Sequence, residues 1–297
     1  MPIRDELIER TVRQLSAMLA RLFRSPTAED ATGVADVMRA EGITGEHPAG
    51  ARLPDEAREE EVDRAREELR TLYRSHLGTT PELLHRLDAE NLLDVLSSAG
   101  SVDGERAYVV AAMFSAEARV ELAGGAEADD DLVLDLRERA LDLMLEAALS
   151  GLGEADLPAR IEALAGSVPA ENRRPVTWER MHRYEHERGA YARAEDALFG
   201  WLDSLEPQNE PRNEPEIEPE IEPRIEAMTG AEIDTATAPT APGPIGADRA
   251  GAAAASFYDD LDERTDEELR AGGLEREELA EGRADFSRRL HALGVHR

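Results

Sequence analysis

The chain has 297 residues, with 34 basic against 65 acidic side chains, a formal net charge of −31, and neither lysine nor cysteine. Such a field repels phosphate backbones and anionic membranes, which argues against nucleic-acid and membrane binding, and the lack of cysteine excludes disulfides, thiolate metal sites and cysteine nucleophiles. Aromatic residues at 4% leave the core to Leu, Ala, Val and Ile, and acid excess with arginine as the only long cation fits a halophile or a GC-rich genome.

Periodicity to about Leu205 is helical nearly everywhere, which predicts an all-α fold. The first helix is expected from about Ile3 to Phe23, where Ile8, Val12, Leu15, Leu19 and Leu22 form one apolar seam. Docking on the rest of the domain is the expected use of that seam. A homo-oligomer seam or a membrane-surface helix through helix 1 are the alternatives, and the negative charge counts against the membrane version. A short second helix and the polar stretch GITGEHPAGARLP precede a long charged helix at about Asp55 to Leu77, with a sparse stripe of Val62, Ala65, Leu69, Leu72 and Tyr73. Thr80 is placed to cap a helix that starts at Pro81, and Ser101 or Asp103 to cap the one after Gly100.

Two helical hairpins follow. The first turns at Gly124 and Gly125, with Ala107, Val110, Phe114 and Ala118 on one face of its first helix and Leu136, Ala140, Leu143 and Ala147 on one face of its second. Acidic residues Glu127 and Asp129 to Asp131 lack the EF-hand order and read as a cluster favoured by the N-terminal helix dipole. A short helix near Ile161 to Leu164 leads to the second hairpin.

That hairpin contains HRYEH, in which His182, Glu185 and His186 match the H-x-x-E-H pattern of the inverted zinc metallopeptidases. Two histidines one turn apart share a helix face and could approach one metal, with the glutamate polarising a bound water. A third ligand is needed, and acids such as Glu263 or a neighbour are too abundant for any nomination to carry weight. The surrounding residues, WERMHRYEHERGAYARAEDALFGWLDSLEP, follow another pattern. Trp178, Met181 and Ala194 fall at tetratricopeptide offsets, Gly189 makes the turn, Tyr191 starts the second helix, Leu198 takes the large apolar place and Pro207 closes the unit. His182 stands where that pattern keeps a small glycine, and Glu185 where it has tyrosine. The repeat-like hairpin is therefore the preferred reading, and no catalytic, cofactor-binding or metal residue is assigned. The remaining histidines, His47, His76, His85, His291 and His296, show no ligand spacing.

After Leu205 the composition changes. Pro215, Pro219 and Pro223 recur every fourth residue among glutamates, which predicts an extended acidic spacer, continued by TATAPTAPGPIGADRAGAAAAS as flexible linker. In the last segment Thr265 and Glu268 form a capping box, and Leu269, Leu274 and Leu279 give an apolar side. That segment either docks on the main domain or serves as a tethered peptide.

The order of these segments, from RDELIERTVRQLSAMLARLF through LLHRLDAENLLDVLSSAGSVDGERAYVVAAMFSAEARVEL to RYEHERGAYARAEDALFGWLD, resembles an uncharacterised bacterial family (a domain of unknown function) of helical proteins with tetratricopeptide-like hairpins. The resemblance implies an all-helical, non-enzymatic fold and brings no catalytic residues. The expected organisation is an all-helical domain at 1–205, tetratricopeptide-like hairpins in a small solenoid or bundle. A disordered acidic Pro/Ala-rich linker at 206–255 and a short helical C-terminal segment at 256–297 follow. The expected function is a cytoplasmic, cofactor-free interaction scaffold with a protein or peptide partner. A zinc-dependent hydrolase using His182, Glu185 and His186 is the alternative from another class.

Overall fold

The computed structural model describes residues 2–23, 55–98, 100–205 and 244–294. The expected second helix, the Pro/Glu-rich run and Pro207 lie outside the described residues. Twelve α-helices fill the described residues, joined by a short antiparallel pairing of β1 (Ser97–Ser98) with β2 (Ser101–Val102), so the fold is all-α.

The first helices form a layer on one central helix. They are α1 (Pro2–Leu22), α2 (Asp55–Leu77), the single turn α3 (Pro81–Leu84), α4 (Ala89–Leu96), α5 (Gly104–Ala123) and α6 (Asp131–Leu149). The α5 helix spreads its apolar residues over more than one face, as an enclosed helix does, and Ala107, Val110, Phe114, Ala116 and Ala118 are all buried. One side meets α6 through Leu136, Ala140, Leu143 and Ala147, and the other meets α1 and α2. The α1 stripe Val12, Leu15, Met18, Leu19 and Leu22 is buried in this core together with Val62, Ala65, Leu69 and Tyr73 of α2. Each fully buried Leu contributes about 2 kcal/mol of transfer free energy. The two helices run antiparallel, because Thr11 meets His76 at 2.9 Å and Arg21 pairs with Glu68. From Val12 to Leu22 the seam offered as a dimer or membrane surface is therefore covered by the chain's own core.

Local signals set the helix ends. Asp88, Asp103 and Asp130 accept from the backbone N–H groups of Asn91, Arg106 and Leu132 and cap α4, α5 and α6. Thr80 takes the N-cap position before Pro81 but makes no side-chain cap bond. The α5–α6 turn passes through Gly125 at φ +105°, a region that favours glycine.

After α7 (Leu157–Ser167) and a turn of 3₁₀ helix at Ala170–Asn172 come α8 (Pro175–Glu187) and α9 (Tyr191–Leu205). These two are antiparallel, since His182 contacts Ala194, and Trp178 lies against Gly200. A Cβ at Gly200 would fall 2.8 Å from the Trp178 ring, so the missing side chain is what lets the indole seat there. Gly189, at φ +72°, makes the turn.

The boundary expected at residue 255 is corrected by the structure. A helix, α10 (Pro244–Asp262), begins inside the predicted linker. Proline suits the first turn, the Ala run has the highest intrinsic helix propensity, and Ala247, Ala250, Ala254, Phe257 and Leu261 recur on one buried face. The C-terminal segment is thus three helices, completed by α11 (Asp266–Ala271) and α12 (Arg276–Ala292). It docks. Tyr191, Ala194, Leu198, Trp201 and Leu202 of α9 share a second core with Phe257, Tyr258, Leu261, Leu269, Leu274, Leu279 and Phe286. The boundary expected at 205 therefore falls along the chain in the middle of a core. Among the described residues no helix is long and apolar enough to cross a membrane.

Candidate functional site

The hairpin α8–α9 sits between the two cores, and its residues are held from both sides. Its N-terminal end is fixed to α6 by an acidic ladder, Glu138, Asp142 and Glu146, spaced four apart on one face. Glu138 accepts from the backbone N–H of Arg174 and from the Thr177 hydroxyl at 2.7 Å, so a carboxylate from another helix caps α8. Arg174 bridges Glu138 at 2.9 Å and Asp142 at 3.1 Å, and Arg180 reaches Asp142 at 3.1 Å and Glu146 at 2.7 Å. Arg180 and Asp142 are each 5% exposed. Arg174 Nε and Arg180 Nη1 lie within ion-pair distance of the acids without an aligned hydrogen bond. Burial pushes the Asp142 carboxyl up, against the pull of Arg180 and Arg174.

The three HRYEH residues have different neighbours. His182 is buried, 4% exposed, with Nδ1 2.9 Å from the Ala194 carbonyl. A carbonyl only accepts, so Nδ1 carries the hydrogen and donates it. Burial brings the His182 imidazole down to about 4. His186 Nε2 lies 3.0 Å from Asp260 of α10. The two imidazoles stack with centroids 6.1 Å apart, and Phe257 of α10 meets both edge-on at 5.1 and 5.3 Å. Hydrogen bonds from His186 and then Arg264 hold Asp260 below the usual carboxylate range.

Glu185 takes no part in this contact. It is 3% exposed and paired with Arg193 of α9 at 2.8 Å and with Arg188 at 3.6 Å. Burial still pushes its carboxyl upward. A zinc-peptidase glutamate must face water beside the two histidines, whereas this one is clamped between arginines. The acid that meets the motif is Asp260; Glu263, three residues on, is exposed. Among the described residues no group of three or more His, Asp or Glu is arranged to hold a metal ion.

Sequence reading missed three other polar clusters. Arg139, on α6, donates to the carbonyls of Leu84, His85 and Leu87 and pairs with Asp135 at 2.6 Å, which gives the end of α3 its positive partner. Glu117 of α5 accepts from Tyr73 at 2.9 Å and lies 3.2 Å from His85. Glu195 of α9 accepts from Tyr258 of α10 at 2.8 Å, in a space left by Gly282 of α12. Acids spaced i, i+4, i+8 along α6 were the available signal for the ladder of Glu138, Asp142 and Glu146; nothing local marked these three clusters. A groove of about 470 Å³ runs between α1 and α2 beside Met18 and Leu72, its polar wall occupied by the bidentate Arg21–Glu68 pair.

The contact between the α8–α9 hairpin and α10–α12 thus combines apolar anchors with matched polar pairs, and it is the candidate functional face of the molecule. None of the family models, curated proteins or solved structures compared with the chain matches it.

Proposed function

We propose that the chain is a non-enzymatic scaffold of tetratricopeptide-like hairpins that binds another protein in the cytoplasm. One observation carries this reading. The outer face of the α8–α9 hairpin receives a helix contributed by a distant segment, through Ala250, Ala254 and Phe257 at helical spacing. Recognition of a helix by anchors at i, i+4 and i+7 is how helical grooves bind peptides. Two further features support it. The pair α5–α6 stacks on the pair α8–α9 through α6 and α8, as consecutive repeats do. The small buried Ala194, the turn at Gly189 and the fully buried Leu198 also support the repeat reading. The likeness of residues 1–205 to the uncharacterised helical family belongs to the same proposal.

Crosslinking mass spectrometry in the native cell, at native salt, tests it. The expected result is a reproducible protein partner with crosslinks to the hairpin layer. No specific partner, together with substrate turnover by the purified chain, would overturn the reading. For the competing zinc-hydrolase reading, metal analysis of protein purified without chelator or affinity tag decides, and the engagement of His186 by Asp260, with no three-ligand group among the described residues, leads us to expect less than stoichiometric zinc.

A further inference from the structure

The C-terminal helices meet the hairpin through contacts that respond differently to pH. On α8, Glu179 pairs with Arg249 at 2.8 Å, His186 with Asp260, and Phe257 covers both imidazoles. On α9, Asp203 pairs with Arg289 at 2.7 Å, Glu195 accepts from Tyr258, and the Ala192 N–H donates to the Gly272 carbonyl at 3.0 Å. His182 is held differently. Its Nδ1–H is donated to a carbonyl, Phe257 lies across the ring, and Arg183 and His186 share its helix. The nearby acids are already engaged, Asp260 with His186 and Arg264, and Glu185 with Arg193 and Arg188. A second proton on His182 would therefore be a buried cation with no counter-charge.

We infer that α10–α12 is an acid-released unit: protonation of His182 opens the joint between α8 and α10 and frees the C-terminal helices from the hairpin while the first core stays folded. Release removes Phe257 from the imidazole and returns it to water. The ends of the intervening segment meet in the closed form, since Gly246 packs on the Leu205 side chain, so the released unit stays tethered beside its own site.

The sign follows from proton counting. His182 titrates at about 4 in the closed joint and near 6.5 when exposed, so the open form binds more protons throughout that window. Closure weakens as pH falls through it. His186 lies between Asp260, 3.0 Å from its Nε2, and the His182 ring, 6.1 Å away. Glu195 opposes release, since burial raises its carboxyl in the closed form. The Tyr191 ring lies 6.2 Å from that of His186. From His182 alone, opening increases about 20-fold between pH 7 and pH 5.

Hydrogen exchange on the intact chain at pH 7 and pH 5, corrected for intrinsic rates, tests this. Expected is a loss of protection of about 10- to 20-fold across residues 247–294, with α5 and α6 unchanged, and no such loss in His182→Gln. Unchanged protection in the C-terminal helices, an equal loss in α5 and α6, or the same loss in His182→Gln overturns the inference. Should that variant fail to fold, ring ¹⁵N titration of the wild-type histidines replaces it. His182 neutral and Nδ1-protonated in the closed form at pH 5 supports the inference, and His182 protonated near 6.5 with α10 still docked overturns it.

Discussion

Replacing Arg180 by methionine tests whether the buried ion lattice holds α8 on α6. The guanidinium is 5% exposed and answers two acids, Asp142 at 3.1 Å and Glu146 at 2.7 Å. Methionine keeps much of the volume but leaves Asp142 to Arg174 alone and takes from Glu146 its guanidinium partner. Removing one partner of a buried pair costs about 3–5 kcal/mol, chiefly from the charge left behind. Glu146 keeps some contact with water, which places the expected loss at about 3–4 kcal/mol at pH 7. Both tryptophans, Trp178 and Trp201, lie on the α8–α9 hairpin, so urea unfolding followed by fluorescence reports on the affected element. With a slope of about 2–3 kcal/mol per molar urea, the midpoint falls by roughly 1–2 M.

Two controls separate charge from packing. Burial already pushes the Asp142 carboxyl up. Without Arg180 it rises further, so the folded variant takes up a proton more readily than the unfolded chain as pH falls. The deficit should therefore shrink between pH 7 and pH 5. Adding Asp142→Asn to Arg180→Met removes the orphaned charge and should recover at least about 1 kcal/mol. A loss below about 1 kcal/mol at pH 7, or a double variant no better than the single one, would refute the reasoning.

Three further outcomes are expected. Gly272→Ala places a methyl 2.6 Å from the Gly189 carbonyl and 2.2 Å from the Tyr191 ring, so it should loosen α11 from the hairpin by about 1–3 kcal/mol, seen as lost protection of the Ala192 amide. Thr265→Ala removes one half of a capping box and should lower stability by about 1 kcal/mol in thermal unfolding, confined to the C-terminal helices. Phe257→Ala empties a fully buried site between the histidines and α9, and a loss of about 3–5 kcal/mol is expected by urea unfolding.

The parts of this fold that were legible depend on neighbours close along the chain. Asp103 caps α5 and Thr265 with Glu268 forms its box because those bonds span three residues, and the α1 and α5 stripes follow from the helical period. What escaped depends on distant partners. Arg139 and Arg180 carry no local mark of burial, since a long cation on a helix usually faces solvent, yet each answers groups more than thirty residues away. The start of α10 escaped for a different reason. Gly and Ala in GADRAGAAAAS read as linker composition, although alanine is also the strongest helix former and small residues suit a helix lying close to others. Gly251 lies against Leu290 of α12, where a Cβ would fall 2.7 Å from the leucine methyl, so the residue that looked like a linker marker is a packing contact.

Distant partners also set the spacing in HRYEH. His182 and His186 share a face because both meet α10, and Glu185 turns to α9 because Arg193 is there. A helix packed against two neighbours will place its polar residues toward whichever supplies a partner, and the resulting spacing coincides with that of a metal motif. The histidine at the position the repeat keeps small is accommodated by its bond to the Ala194 carbonyl, made close by the small side chain at Ala194. That accommodation leaves a buried neutral imidazole at the edge of the second core, where Phe257 seals it. The departure from the repeat pattern and the proposed acid-sensitive joint are therefore one feature. If His182→Gly left the α8–α9 hairpin folded while removing the pH response of α10–α12, the two would be shown to share that single cause.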